Sequence, residues 1–516
     1  MMPPVAEFFS FLLVVVYVAA SLGLAIYGLN CYVMVALFLR RRDAVRAGHV
    51  VIREAASRFA DPASLPIVTT QIPLYNEANV AERALRAAAA IDYPLDRHEI
   101  QVMDDSTDET ADIVDRVARE LQRAGHWISV VRRTHRRGYK AGALAEGLRL
   151  ASGEFIAIFD ADFVPPPQFL RHTVPFFLVQ PQLGIVQARW GHLNAAESLL
   201  TRAQALGIDG HFMVEQSART FNGLLMNFNG TAGLWRRAAI LGAGGWSADT
   251  LTEDLDLSYR AQLAGWKTHF IETLEAPGEL PSTIGAFKSQ QFRWAKGSIQ
   301  TARKLLPRIW RERSLSAWTK LQATLHLTHY CVHPLMLTVA LLAVPVMLTL
   351  PLYVSGGLRA LIVGAMVVSL IAPNALYLAS QRALHGRWFR HLAWLPALMC
   401  IGVGVALSNT RAIIEGLAGH RSEFVRTPKR GDRARTAYRV KVPVLPWLEL
   451  VLGAYCFFGV VVYVAADRLF IGPFLLIYAA GFIVTGLMGL EETRRDAVPA
   501  PAFARGLKPE VALHAD

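Results

Sequence analysis

The chain has 516 residues, 53% of them hydrophobic and only 18% charged, with a mean hydropathy of +0.30. A soluble protein carries about 25% charged residues, so an ordinary soluble enzyme is excluded, and the length leaves room for a sizeable soluble core beside several membrane spans. The net charge of +12 is concentrated beside apolar runs, at Arg40–Arg42 and from Arg421 to Lys441, which is the bias of cytoplasmic membrane flanks and not of a nucleic-acid footprint.

The first apolar run, Phe8–Leu39, covers 32 residues. As a helix it would be about 48 Å long, more than the ~30 Å hydrocarbon core requires. No basic segment precedes it, so it reads as a retained span that extends into Arg40–Arg42 and not as a cleaved leader.

Between residues 43 and 316 charge returns, and short strand patterns alternate with helical ones. Strands are predicted at Ile67–Ile72, Ile100–Met103, Ser129–Val131 and Phe155–Phe159, with helices over Ala78–Ala90 and Thr110–Ala124. Short apolar strands joined by helices predict an α/β domain with a mainly parallel, buried sheet. Such sheets bind ligands at the carboxyl ends of their strands.

Further apolar runs follow at about 330–354, 358–378, 445–466 and 469–490. The segment 392–407 contains Pro396 and runs into the polar Ser408–Arg411. With Arg40–Arg42 in the cytoplasm, a full span there would put Arg421–Lys441 outside, against the positive-inside rule. The charge pattern favours an interfacial or re-entrant helix over 392–418, with five spans, an outer N-terminus and an inner C-terminus; a sixth span is the competing reading. Cys31, Cys331, Cys400 and Cys456 each stand alone in an apolar run, which predicts buried thiols and neither zinc nor disulfide.

Acidic residues stand where strands end. Met103 runs into Asp104-Asp105, and Phe159 into Asp160-Ala161-Asp162. Two carboxylates one residue apart can share Mg²⁺ or Mn²⁺, completed by substrate phosphates; a polar turn after a strand is the plain alternative. Downstream, Thr252-Glu253-Asp254 and Asp256 supply a candidate general base for deprotonating an acceptor hydroxyl. The same residues suit a helix start, with Thr252 as its cap. In Gln290–Trp294, Arg293 can bind phosphate bidentately and Trp294 offers a flat face to a sugar, or the pair anchors an interfacial helix.

In order, Pro73–Glu77, Asp104-Asp105, Asp160-Ala161-Asp162, Thr252-Glu253-Asp254 and Gln290–Trp294 resemble the D, DxD, TED, QxxRW signature of processive family 2 glycosyltransferases, the group of cellulose, hyaluronan, chitin and mannan synthases. Val186–His192, Phe228–Gly233 and Glu423–Lys429 are similar to the cellulose-synthase-like mannan and glucomannan synthases and their bacterial relatives. The last stretch resembles the gating-loop motif FxVTxK; Phe424, Thr427 and Lys429 match, and Arg426 stands where the motif has Val. The FxCGS acceptor motif of cellulose synthases is replaced by Phe228–Ala232, and no PilZ domain is expected after Leu490.

The resemblance implies a cytoplasmic GT-A domain, 43–282, inserted in an α-helical membrane domain. A transmembrane helix, 1–42, would precede it. Interfacial helices with QxxRW, 283–328, a membrane region, 329–490, with an interfacial helix and gating loop at about 392–431, and a disordered tail, 491–516, would follow. It implies that Tyr75, Glu77 and Asp105 hold base and ribose, that Asp104 belongs to the same nucleotide-sugar site, that Lys140 lies by the nucleotide, and that Asp160 and Asp162 hold diphosphate and metal. Asp254, beside Glu253, would be the general base. Gln290, Arg293 and Trp294 would bind diphosphate and acceptor, and Thr427 and Lys429 would close over them.

The activity implied is inverting β-glycosyl transfer in the cytoplasmic membrane, from UDP-glucose or GDP-mannose with Mg²⁺ or Mn²⁺, to a growing polysaccharide of glucan or mannan type that is translocated across the membrane. A membrane-lipid acceptor is the alternative. Membrane lipids are the expected surroundings, an accessory export subunit stays open as a partner, and nucleic acid is not one. The polar cluster Trp318, His326, His329 and Tyr330 is expected to face an acceptor channel or to form an interfacial belt. A transporter would need ionisable residues inside its spans, and the spans have almost none.

Overall fold

A computed structural model describes residues 4–57, 64–353, 356–420, 444–466 and 472–497. Seven strands form one sheet: β1 Val68–Leu74, β2 His98–Asp104, β3 Trp127–Val131, β4 Phe155–Ile158, β5 Leu183–His192, β6 Gly233–Arg236 and β7 Lys267–Gly278. Their order is β3-β2-β1-β4-β6-β5-β7. All neighbours are parallel except β6, which runs antiparallel to β4 and β5. The four strands predicted from apolar runs are therefore present.

Helices cover both faces. Leu85, Val114 and Val117 pack under β1 and β2, and Phe155, Phe169, Phe176 and Phe177 form the opposite layer. From β1 the sheet continues to β2 on one side and to β4 on the other. This switch of direction opens a crevice at the carboxyl ends of β1, β2 and β4.

Five helices among the described residues are long and apolar enough to cross a membrane: within Glu7–Glu54, His329–Leu348, Gly356–Leu384, Leu445–Ala465 and Phe474–Arg494. Helices Trp388–Gly404 and Ala406–Ala418 meet at a 43° bend. The second of them lies along helix Ile284–Arg311, where Arg303 donates to the Gly416 carbonyl at 2.8 Å.

The first helix, Pro4–Ala56, does not stop at the expected boundary near residue 42. Its last turns dock on the sheet domain. His49 bonds His269 of β7 at 2.9 Å and sits edge-on to Phe176, and Arg46 pairs with Glu272 at 2.8 Å. Burial lowers both histidines, His49 to about 4 and His269 to about 3, so this joint is a neutral imidazole pair.

Helix Ile284–Arg311 joins the two halves of the protein. Lys288 pairs with the fully buried Glu449 at 2.6 Å and Lys296 with Glu415 at 2.8 Å. At its N-terminus, the Ile284 and Gly285 N–H groups donate to Glu492. Those donors have no intrahelical partner, and a carboxylate there is favoured by the helix dipole. This contact corrects the expected tail: residues 491–497 continue the helix Gly472–Ala497, and the remainder, 498–516, lies outside the described residues.

Candidate active site

The strand ends deliver the side chains singled out by the motifs. Tyr75 and Glu77 follow β1, Asp105 follows β2, and Asp160 and Asp162 follow β4. Together with Lys140, Glu253, Asp254, Gln290, Arg293 and Trp294 they line one pocket of about 180 Å³. Asp104 does not line it. This residue is 2% exposed, accepts from Arg132 Nε and from the Ser106 N–H, each at 3.0 Å, and fixes the loop that carries Asp105. Asp105 is itself gripped by Arg133, with Nε to Oδ1 at 3.0 Å. Thr427 and Lys429, with the whole gating-loop motif, lie outside the described residues.

Glu253 and Asp254 open the helix Glu253–Leu263. Thr252 does not cap it. Its hydroxyl lies 3.3 Å from that of Thr301 and makes no cap bond. The reason is close packing against helix Ile284–Arg311: a Cβ on Gly297 would sit 2.5 Å from Thr252 Cγ2. That approach brings Gln290, Arg293 and Trp294 over the acidic pair. Asp256 faces away, held by Arg260 at 2.8 Å and Lys304 at 2.9 Å.

Gly230 forms the floor beneath Asp254. Its φ is +80°, and a Cβ there would meet Asp254 Oδ2 at 2.7 Å, so only glycine satisfies both the turn and the approach. Its carbonyl accepts from Lys140 Nζ at 2.9 Å, and the same ammonium pairs with Asp160 at 2.6 Å. One cation thus ties the DxD turn to the floor beneath Asp254.

The electrostatics follow from crowding carboxylates out of water. Burial first, and the neighbouring Glu253 second, push Asp254 up to about 7, although Lys140 opposes them. Burial likewise raises Glu253. Burial works to lower Lys140, but Asp160, Glu253 and Asp254 outweigh it and raise the ammonium to about 12. A carboxylate poised near neutrality beside a permanent cation is a suitable general base.

Sequence reasoning did not assign Arg136, Trp190, His192 or Asn229, which also line the pocket. The Arg136 guanidinium lies 3.2 Å from the centre of the Tyr75 ring. The other three stand in Val186–His192 and Phe228–Gly233, noted only as resemblances. Gln187 explains why these stretches belong together. Its side chain accepts from the Asn229 N–H at 3.0 Å and donates to the Thr231 and Ala232 carbonyls at 3.1 and 3.0 Å. One side chain of β5 therefore shapes the turn that carries Gly230.

Beyond Asp254 the pocket opens into a cavity of about 550 Å³ among the apolar helices. Trp190, Asn229, Asp254, Gln290 and Trp294 border both spaces. His326, His329 and Tyr330 line the cavity, whereas Trp318 does not and is 45% exposed. Farther in, the wall is mainly apolar, with Leu24, Met336, Leu370, Met399 and Ile477.

Among the described residues no group of three or more His, Cys, Asp or Glu side chains is arranged to hold a metal ion by itself. Asp160 and Asp162 offer two hard oxygen donors in the pocket. That set suits a divalent ion whose remaining ligands are phosphate oxygens and water.

A family model described as "Glycosyltransferase like family 2" matches residues 66–297. Glucomannan 4-beta-mannosyltransferase 7 of Arabidopsis thaliana is 34% identical over 446 residues, covering 82% of this chain and 77% of that protein. The chain belongs to glycosyltransferase family 2. Glucomannan 4-beta-mannosyltransferase 2 of the same plant is 45% identical over 263 residues, 50% of this chain and 49% of its own. Among solved structures, a mannosyltransferase from Pyrobaculum calidifontis, in complex with GDP-Man and Mn²⁺, has a TM-score of 0.46 and 21% identity, covering 75% of this chain and 100% of that one. This family 2 member is a hexosyltransferase with a GT-A sheet domain and a membrane-spanning part.

Proposed function

We propose that the protein is an inverting β-glycosyltransferase that elongates a mannan- or glucan-type polysaccharide from GDP-mannose or UDP-glucose and feeds the chain into the membrane. The observation that carries the reading is the junction of pocket and cavity at Asp254 and Trp294. A base at the doorway between a charged pocket and a space among spans meets an acceptor from the membrane side and a donor from the sheet side. The relatives' names favour mannosyl transfer.

In this reading Tyr75, Glu77 and Asp105 hold the nucleoside, and Lys140, Arg293 and Gln290 hold the diphosphate. Trp294 stacks on the acceptor sugar. Asp254, as carboxylate, takes the proton from the acceptor hydroxyl. That oxygen forms the new bond to the anomeric carbon while the bond from that carbon to the diphosphate oxygen breaks, and the nucleoside diphosphate leaves with the electron pair. A Mg²⁺ or Mn²⁺ ion bound by Asp160 and Asp162 would offset the charge on the leaving diphosphate. The sheet domain is cytoplasmic, because Arg40–Arg42 flank the first span, and Ala406–Ala418 is the inner arm of a re-entrant pair.

The second reading, single transfer to a membrane lipid, is favoured by the apolar wall at Leu24, Met336, Leu370, Met399 and Ile477. The experiment that separates them uses the full chain in nanodiscs with Mg²⁺ or Mn²⁺. Radiolabelled GDP-mannose, UDP-glucose, UDP-GlcNAc and UDP-galactose are offered in turn. A high-mass, glycanase-digestible product from one donor is the expected result and names the sugar. Label confined to the organic phase with one or two sugars overturns the polysaccharide reading.

A further inference from the structure

The helix after β5 is interrupted at Gly210–Gln216 by a π-helical turn. Such turns cost hydrogen-bond geometry and recur at functional positions. This one is pressed onto a membrane helix, since a Cβ at Gly210 would meet Leu376 and Tyr377 at 2.7 Å. The wider turn presents His211 and Glu215 together on the cavity wall.

Their hydrogen bonds fix the tautomer of the imidazole. Gln216 Nε2 donates to the Asn227 carbonyl at 2.7 Å and to Asn229 Oδ1 at 2.5 Å. Asn229 Nδ2 therefore faces His211 Nε2, at 3.1 Å, as a donor. The imidazole must accept at Nε2 and carry its proton on Nδ1. That proton goes to Glu215 Oε2 at 2.8 Å. Burial works to raise the Glu215 carboxyl, but the bond from His211 leads the groups that outweigh it and hold it below the usual carboxylate range, so Glu215 accepts as a carboxylate. The chain of bonds ends one residue from Gly230, the floor of Asp254.

Glu215 is 28% exposed and His211 27%, both toward the cavity. An ionised carboxylate on a largely apolar wall is costly unless hydroxyl or amide donors reach it. An acyl chain would strip its water and return no hydrogen bond. A sugar unit returns several, and Trp190, Trp294 and Tyr330 on the same wall supply flat faces for its C–H surface.

We propose that Glu215, held by His211, is an acceptor-positioning residue: its carboxylate accepts from hydroxyls of a glycan chain in the cavity, next to the unit that receives the new sugar. The cavity then takes a polyhydroxylated chain in preference to a lipid tail. This rests on the glycosyl-transfer reading above.

The test uses full-length protein in nanodiscs, the donor that works in the wild type, and mannan- or glucan-type oligosaccharides of increasing length as acceptors. E215Q removes the charge at constant shape. Its acceptor KM is expected to rise about tenfold to a hundredfold, the loss of a charge-assisted bond. The donor KM should move less than about twofold. The ratio of free sugar, from transfer to water, to incorporated sugar should rise, and products should shorten. E215D, which keeps the carboxylate, should recover part of the acceptor KM. H211Q provides a second reading if E215Q does not fold.

Wild-type elongation with an E215Q or H211Q acceptor KM within about twofold overturns the inference alone. So does a donor KM that worsens in step with the acceptor KM, because that marks a structural defect. A wild type that transfers to no oligosaccharide overturns the proposed function as well.

Discussion

The pocket at the sheet edge and the cavity among the spans share a doorway and little else. The pocket is small and crowded with opposite charges, and each of its acidic clusters follows a strand or opens a helix. The cavity is three times larger and mostly apolar, built by side chains from Ser21 to Tyr478. In the proposed function the contrast separates two tasks. Chemistry on a nucleoside diphosphate sugar needs fixed charges at fixed distances, which a rigid sheet provides. Guiding a chain needs a long wall with few strong attachments, which helices from distant parts of the sequence provide.

The largest effect should come from the doorway itself. Asp254→Asn removes the proposed base while keeping the shape, and transfer should fall about 10²- to 10⁴-fold. Donor binding, followed by tryptophan fluorescence or calorimetry, should persist. Turnover near wild type would move the chemistry away from this side and break the comparison at its centre. Metal withdrawal should act almost as strongly, but on the pocket alone. Excess chelator should stop transfer, and Mg²⁺ or Mn²⁺ should restore it. Activity that survives chelation would remove Asp160 and Asp162 from that role.

These two sites differ in how they could be read from the chain. The acidic clusters are legible because a strand period followed at once by carboxylates is local information, and four strands are located that way. Trp190, His192 and Asn229 are not: the first two are placed by the pairing of β5 with β7, and Asn229 by Gln187 reaching from β5 to a turn some forty residues later. Thr252 shows the limit in the other direction. Its sequence context suits a cap, but packing against Gly297 turns the hydroxyl to Thr301. The cavity was legible only in part: His326, His329 and Tyr330 reach it and Trp318 does not, a distinction set by which face of a helix meets its neighbours.

A smaller effect sharpens the electrostatic side. In the proposed mechanism Asp254 acts ionised, and it is raised to about 7 by burial and by Glu253, so kcat/KM should fall about tenfold per pH unit below that value. Glu253→Gln removes the like charge. With each profile scaled to its own plateau, the acid limb should shift to lower pH, and at pH 6 the variant should retain a severalfold larger share of its activity. An unchanged limb would show that burial alone raises the base.

The smallest effect on chemistry, and the clearest on the scaffold, belongs to Lys288 and Glu449. This buried pair joins the helix carrying Gln290, Arg293 and Trp294 to the span Leu445–Ala465. Lys288→Met leaves a carboxylate buried without its cation, which typically costs about 3–5 kcal/mol. The variant should melt earlier in nanodiscs, with donor KM little changed. Adding Glu449→Met removes the stranded charge, and much of the loss should return, because replacing both partners by apolar groups is often close to neutral. If the double variant regains stability yet makes shorter products than wild type, the pair does more than hold the halves together: it sets the angle at which the pocket meets the cavity. If stability and product length return together, the pair is a fastening, and alignment of the doorway rests on the close contact between Gly297 and Thr252.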